Sequence, residues 1–149
     1  MSLVLNLFCW WCSVLAPFPT SSKVAVSVAV YSTAQARGSI RLGVFKDAAA
    51  FTQDESLASL VLPLAKNSPW PATLQLPALQ PGTYALAAYQ DLNNNGKLDR
   101  SLLGIPTEPY GFMRTPASKW RPPRWEEISF SLNQESGPVE IKLRDWQQY

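Results

Sequence analysis

Chemistry in this chain concentrates between residues 91 and 99. Asp91, Asn93, Asn95 and Asp99 put oxygen-bearing side chains at positions 1, 3, 5 and 9 of a loop whose sixth residue is Gly96. A hard cation takes several such oxygens at about 2.3–2.6 Å, and a glycine bend lets alternate side chains turn inward around one ion. The Lys97 carbonyl falls at the seventh position. Leu102 stands at the twelfth, where a helix-flanked calcium loop carries a bidentate carboxylate, so the pattern reads as a shorter loop closed from elsewhere. Glu108 is the nearest free carboxylate for that closure. The metal candidates are therefore Asp91, Asn93, Asn95, Lys97, Asp99 and Glu108, the candidate cofactor is Ca2+, and so few charges imply affinity on the order of 10⁻⁴–10⁻³ M. A competing reading needs no ion: Asn95-Gly96 makes a tight turn, and the Asp and Asn side chains cap local backbone amides.

A second grouping follows closely. Arg114, Lys119, Arg121 and Arg124 lie within eleven residues and interleave with Trp120 and Trp125. Planar rings beside cations stack on sugars, and guanidinium groups engage carboxylate or phosphate. These six residues form a candidate ligand surface for a glycan or anionic polymer. The alternative is that Trp125 packs beneath the fold while the Arg and Lys stems cover apolar surface.

Composition removes most other chemistry. The 149 residues include no histidine, which excludes His-based triads, His-ligated metals and imidazole proton shuttles. Acid–base work falls to Asp, Glu, Lys or Tyr, and a hydrolase built on Asp91, Asp99 and Glu108 is the enzymatic route left open. Their spacing does not separate catalytic acids from ion ligands or turn caps, so the chain is read as non-enzymatic. A net charge of +2 gives no strong field for holding phosphates, which argues against nucleic acid.

The N-terminal stretch reads as a leader. Residues 1–22 carry no charged side chain, and an apolar block of about fourteen residues runs from 3 to 16. That is shorter than the ~20 residues a transmembrane helix needs and matches a signal-peptide core. Both cysteines, Cys9 and Cys12, lie inside it, so their C-x-x-C spacing is not read as a redox or zinc pair. The expected layout is a leader over 1–22 and one domain over 23–149, exported to the periplasm or beyond. The expected partners are a cell-envelope polysaccharide or another envelope protein, with a membrane engaged only through an uncleaved leader.

The elements that must position these groups are strands. Val24, Val26, Val28 and Val30 alternate with smaller or polar residues, and Ile40, Leu42 and Val44 fall on one face of GSIRLGVFK, both at the period of a half-buried strand. A hairpin through residues 32–37 is expected to pair them. Residues 47–60 are rich in helix formers and predict one or two helical turns. ATLQLPAL follows as a short strand and Pro81-Gly82 as a turn. GTYALAAYQD is apolar on both faces, so it is expected to be central. ISFSL and VEIKL are expected to close the chain as a second hairpin. Short strands, abundant proline and little helix predict an all-β fold, a single β-sandwich of six or seven mainly antiparallel strands. Residues 91–125 form a proline-, asparagine- and glycine-dense segment too long to be an idle connection.

The string PGTYALAAYQDLNNNGKLDRSLLGIPTEPYGF resembles a bacterial family known as domain of unknown function 2141. The hallmark is a Pro-Gly-Tyr strand running into an Asp-Asn-Asn-Gly-Asp loop, then a Gly-Ile-Pro-Glu-Tyr-Gly-Phe segment, matched here by Gly104, Ile105, Pro106, Glu108, Tyr110, Gly111 and Phe112. The likeness spans residues 24–143, including GSIRLGVF and PPRWEEISFSL, and departs at Met113-Arg114, where the pattern has Ser and Asn. It implies an exported domain with a compact sandwich in the style of prealbumin-like modules, and it brings no activity.

Overall fold

The computed structural model describes residues 22–149. The leader expected over residues 1–22, with Cys9 and Cys12, lies outside the described residues apart from Ser22. Eight strands form two sheets: β1 (Ser27–Ser32), β2 (Ser39–Phe45), β3 (Ala58–Pro63), β4 (Ala72–Gln75), β5 (Gly82–Asp91), β6 (Tyr110–Phe112), β7 (Ser129–Leu132) and β8 (Val139–Leu143). One sheet has the order β4-β1-β8 and the other β3-β2-β5-β6, with β7 also paired to β5. All pairings are antiparallel except β1 with β8. The protein is an all-β sandwich, with one or two strands more than expected.

The alternating patterns supply the core. Val28, Val30, Leu74, Ile141 and Leu143 of the first sheet, with Val24 and Val26 just ahead of β1, share one buried cluster with Ile40, Leu42, Val44, Leu86 and Leu132 of the second. As expected, β5 is central, paired with β2 on one side and with β6 and β7 on the other. Its inner face packs Tyr84, Leu86 and Ala88 into the core.

Strand partners differ from the expectation in two places. β1 and β2 do not form a hairpin: β1 pairs with β4 and β8, and β2 with β3 and β5. ISFSL and VEIKL likewise separate, β7 against the start of β5 and β8 alongside β1 in the opposite sheet. A period of two says which side chains are buried, and two strands can bury them equally well side by side or facing each other across a sandwich.

The one or two helical turns expected within residues 47–60 are present. Helix α1 covers Ala48–Thr52, capped by the Asp47 carboxylate, which accepts from the Ala50 amide at 2.8 Å. The residues after it become β3, where Ala58, Leu60 and Leu62 pack onto the core. A short helix α2 (Trp125–Ile128) precedes β7, and a 3₁₀ turn (Trp146–Gln148) follows β8.

Two glycines are required by close approach. A Cβ on Gly38, at φ +70°, would lie 1.9 Å from the Asp91 carbonyl oxygen, and one on Gly111 would lie 2.4 Å from the Lys142 carbonyl oxygen. The first lets the chain entering β2 cross the end of β5. The second lets β6 lie against β8.

Candidate functional site

The 91–99 loop leaves the sandwich at the end of β5, where the outer face of the strand turns polar. Tyr89 and Asp91 continue the outward side of Ala85 and Ala87, and Arg41 of β2 stands opposite Tyr89. Asp91 is fully buried, and its Oδ2 accepts from Arg41 Nε at 2.7 Å. The same oxygen accepts from the Gly96 amide at 2.8 Å, while Oδ1 accepts from the Asn95 amide at 3.0 Å. Burial by itself would push the Asp91 carboxyl up, but the Gly96 amide, the Arg41 guanidinium and the Asn95 amide together hold it below its ordinary value. The hydroxyl of Tyr89 donates to the Gly96 carbonyl at 3.0 Å, fastening the loop from below. Burial raises the Tyr89 pKa, keeping that phenol protonated as a donor.

Glu108 closes the segment from its far end. It is 3% exposed, and its two oxygens accept from the Leu92 amide at 2.7 Å and the Asp99 amide at 3.1 Å. Asp99 in turn takes the side-chain amides of Asn93 at 2.7 Å and Asn95 at 2.8 Å. The carbonyl oxygens of those two asparagines accept backbone amides two residues on, from Asn95 and Lys97, the local geometry that lets Asn and Asp serve as turn residues. Lys97 contributes its backbone and leaves its side chain in solvent. Asp91, Asn93, Asn95, Asp99 and Glu108 thus join one hydrogen-bond network, in which Glu108 accepts backbone amides from both ends of the loop.

Every carboxylate oxygen in the network already accepts a hydrogen bond. Among the described residues, no group of three or more His, Cys, Asp or Glu side chains converges on a point that could hold a metal ion. Across from Asp91 on β2, Ser39 keeps a buried hydroxyl without a hydrogen-bond partner.

Beyond Asp99 the chain forms a small hairpin. Arg100 bridges Pro106, the Thr107 amide donates to the Asp99 carbonyl and the Ser101 amide to the Ile105 carbonyl. Leu102 and Leu103 sit at its tip, 106% and 86% exposed.

The 114–125 residues each make their own contacts. Trp125 is half-buried against the cluster of Phe45, Ala85 and Ile128 on the outer face of the five-stranded sheet. Arg121 forms a two-pronged pair with Glu127 at 2.9 and 2.5 Å. That hydrogen-bonded guanidinium, with the Arg124 amide behind it, holds the Glu127 carboxyl down to about 2. Arg114 donates to the Ser129 carbonyl at 2.9 Å, and Arg124 is exposed. Trp120 stands apart, 78% exposed, edge-on to Trp146 at 5.6 Å. Lys119 Nζ lies 5.6 Å from the Trp120 ring and 5.5 Å from the Trp146 ring.

Several residues of the site carried little signal in the sequence. Arg41 is one charge in an alternating strand, and only the β2–β5 register brings it to Asp91. Gln90 was more visible, as an amide at the end of an apolar strand. It is fully buried, donating to the Gln35 and Arg37 carbonyls and accepting from Ser32 Oγ, and so ties the β1–β2 connection to β5. Trp146 joins Trp120 from a segment beyond the last strand.

No curated protein and no solved structure matches the chain. The family model described as "Uncharacterized protein conserved in bacteria (DUF2141)" matches residues 28–140, a span holding the sandwich up to the start of β8, the braced loop and the Gly104 to Phe112 segment. The protein is a member of that family.

Proposed function

We propose that the protein is an exported, non-catalytic β-sandwich module that presents residues 91–109 as a self-braced loop. The observation that carries this reading is the engagement of Asp91, Asp99 and Glu108 within the loop: each carboxylate oxygen accepts a hydrogen bond from an amide or from Arg41. A general acid or nucleophile must direct a carboxyl at an open cleft, whereas two of these three are buried under their own loop. Export is supported by the uncharged apolar block over residues 3–16.

The brace makes the loop independent of calcium. An ion at ten times its dissociation constant would stabilise the fold by about 1.4 kcal/mol, a rise in melting temperature of roughly a few degrees. Melting followed by circular dichroism in millimolar calcium and in chelator should give superimposable transitions. A reproducible rise with calcium would replace the self-braced loop by an ion-held one, with Asp91, Asn93, Asn95 and Asp99 as ligands.

A second reading is favoured by Trp120, whose ring lies open beside Trp146 and Lys119. Such a platform suits stacking on an envelope glycan. Retardation of the protein in an affinity gel containing an anionic polysaccharide, abolished in Trp120→Ala, would transfer the function to that end.

A further inference from the structure

We propose that the open edge of β3 pairs with the β3 edge of a second copy of the chain, antiparallel about a twofold axis at Leu60, joining the two five-stranded sheets into one. Sheet edges are ordinarily kept from pairing by being short, charged or kinked. The other strands with an open side are brief: β4 and β7 have four residues and β6 has three, while β8 is continued onto β6 by the bridge between Tyr110 and Arg144. In contrast, β3 runs six residues, is bonded to β2 alone, and lies in a stretch over residues 56–65 that holds no charged side chain. Leu57 and Val61 are 51% and 49% exposed there, and the inward Leu60 and Leu62 are only partly buried.

Backbone groups along the edge select the register and with it the occupant. The Leu64 amide donates to the Gly38 carbonyl at 2.9 Å, which makes Ser39 with Pro63, Arg41 with Val61 and Gly43 with Ser59 the non-bonded pairs of the β2–β3 ladder. The N–H and C=O groups of Ser59 and Val61 therefore point to the open side, and they have no partner among the described residues. A twofold centred on Leu60 sets Ser59 opposite Val61 of the second copy, so that all of these groups are met in four N–H···O bonds. Pro63, which has no N–H, then falls opposite Leu57, whose amide already donates to the Val44 carbonyl at 2.7 Å. Centring the pair on Ser59 or on Val61 would instead leave a carbonyl of each chain facing one of these two missing donors. Charge agrees with the same register. Asp54 and Glu55 precede the uncharged stretch and Lys66 follows it, all exposed. Antiparallel copies bring the acids of one chain toward the lysine of the other at both ends, whereas parallel copies would set like charges together. A foreign strand would have to reproduce this spacing of proline and charge, and a second copy has it by symmetry.

The test is sedimentation equilibrium of the full chain over a range of protein concentrations. The apolar block over residues 3–16 is common to every variant and cancels from their ratios. Wild type should show a reversible monomer–dimer equilibrium, because the twofold pairing uses the β3 edge of both copies and closes on itself. Val61→Pro removes two of the four intermolecular bonds and leaves the β2–β3 ladder whole, since its N–H faces outward. It should weaken the dimer at least about tenfold. Lys66→Glu changes only an exposed side chain beyond the strand, so folding is not at stake. It should weaken the dimer roughly threefold in low salt, and adding Glu55→Lys should recover most of that loss. A wild type that stays monomeric at the highest concentrations reached would overturn the inference. So would association that Val61→Pro leaves at wild-type strength, or a Lys66→Glu loss that Glu55→Lys deepens instead of relieving.

Discussion

The outer face of β5 is closed in two different ways along its length. Near the start of the strand, Ala85 and Ala87 lie under Phe45, Phe51, Phe112, Trp125 and Ile128, with Phe45 and Phe51 edge to face at 5.3 Å. Near its end, Tyr89 and Asp91 lie under Arg41 and a loop stitched by carboxylates and amides. One half excludes water with apolar area, which is tolerant of geometry. The other buries a charge, which is tolerable only when each oxygen is met by a donor. The apolar half can therefore be assembled from residues scattered over α1, β2, β6 and α2, whereas the polar half needs a short contiguous loop whose amides arrive in fixed order.

The largest separation of the two halves should come from Ile128→Ala. Ile128 is fully buried, and truncating it should cost about 3 kcal/mol, a fall in melting temperature of roughly 10 °C. The effect should be independent of pH because no charge is involved. A loss below about 1 kcal/mol would mean that the aromatic lid is plastic and that the contrast between the halves is weaker than the geometry indicates.

Asp91→Asn comes next, at about 2 kcal/mol. It removes the charge facing Arg41 and leaves one amide opposed by a donor, but the Arg41 side chain is 28% exposed and can turn to water. Here pH is the sharper probe. Because the folded-state pKa of Asp91 lies below the ordinary 3.8, its contribution is present above that value and is lost as pH falls through the lower folded one. The gap in unfolding free energy between wild type and Asp91→Asn, measured by denaturant titration, should thus be widest near neutrality and close in acid. A gap of constant size through the acid limb would show that the carboxylate charge does not hold the loop.

The smallest effect belongs to Glu127→Gln. Its carboxyl is held to about 2 chiefly by the Arg121 hydrogen bond, yet the pair lies where solvent and salt screen it. Thermal melting in low salt should detect a slight loss that vanishes at high salt. A salt-resistant loss comparable with that of Asp91→Asn would make this surface pair a second polar brace and blur the contrast drawn above.

Much of this arrangement was legible along the chain because it is local. The inward valines of β1, the two apolar faces of β5 and the Asp-Asn-Gly turn all depend on residues within a few positions of one another, where side-chain period and turn chemistry operate. Glu108 was identifiable because one short hairpin separates it from Asp99. The one or two helical turns expected within 47–60 formed at Ala48–Thr52, and the strand that follows was not foreseen, since the side-by-side pairing of β3 with β2 and packing of Leu60 and Leu62 outweigh a weak helix propensity.

The sequence by itself determined which residues are buried, where the chain turns and which short loop carries the oxygens, because each follows from periodicity or from a turn a few residues long. Tertiary structure alone decided that β1 and β2 belong to opposite sheets, that β7 and β8 part, that Arg41 meets Asp91 and that Trp146 meets Trp120. Those outcomes depend on register between strands distant along the chain. Register is chosen by the packing of all the faces together, which no local pattern encodes.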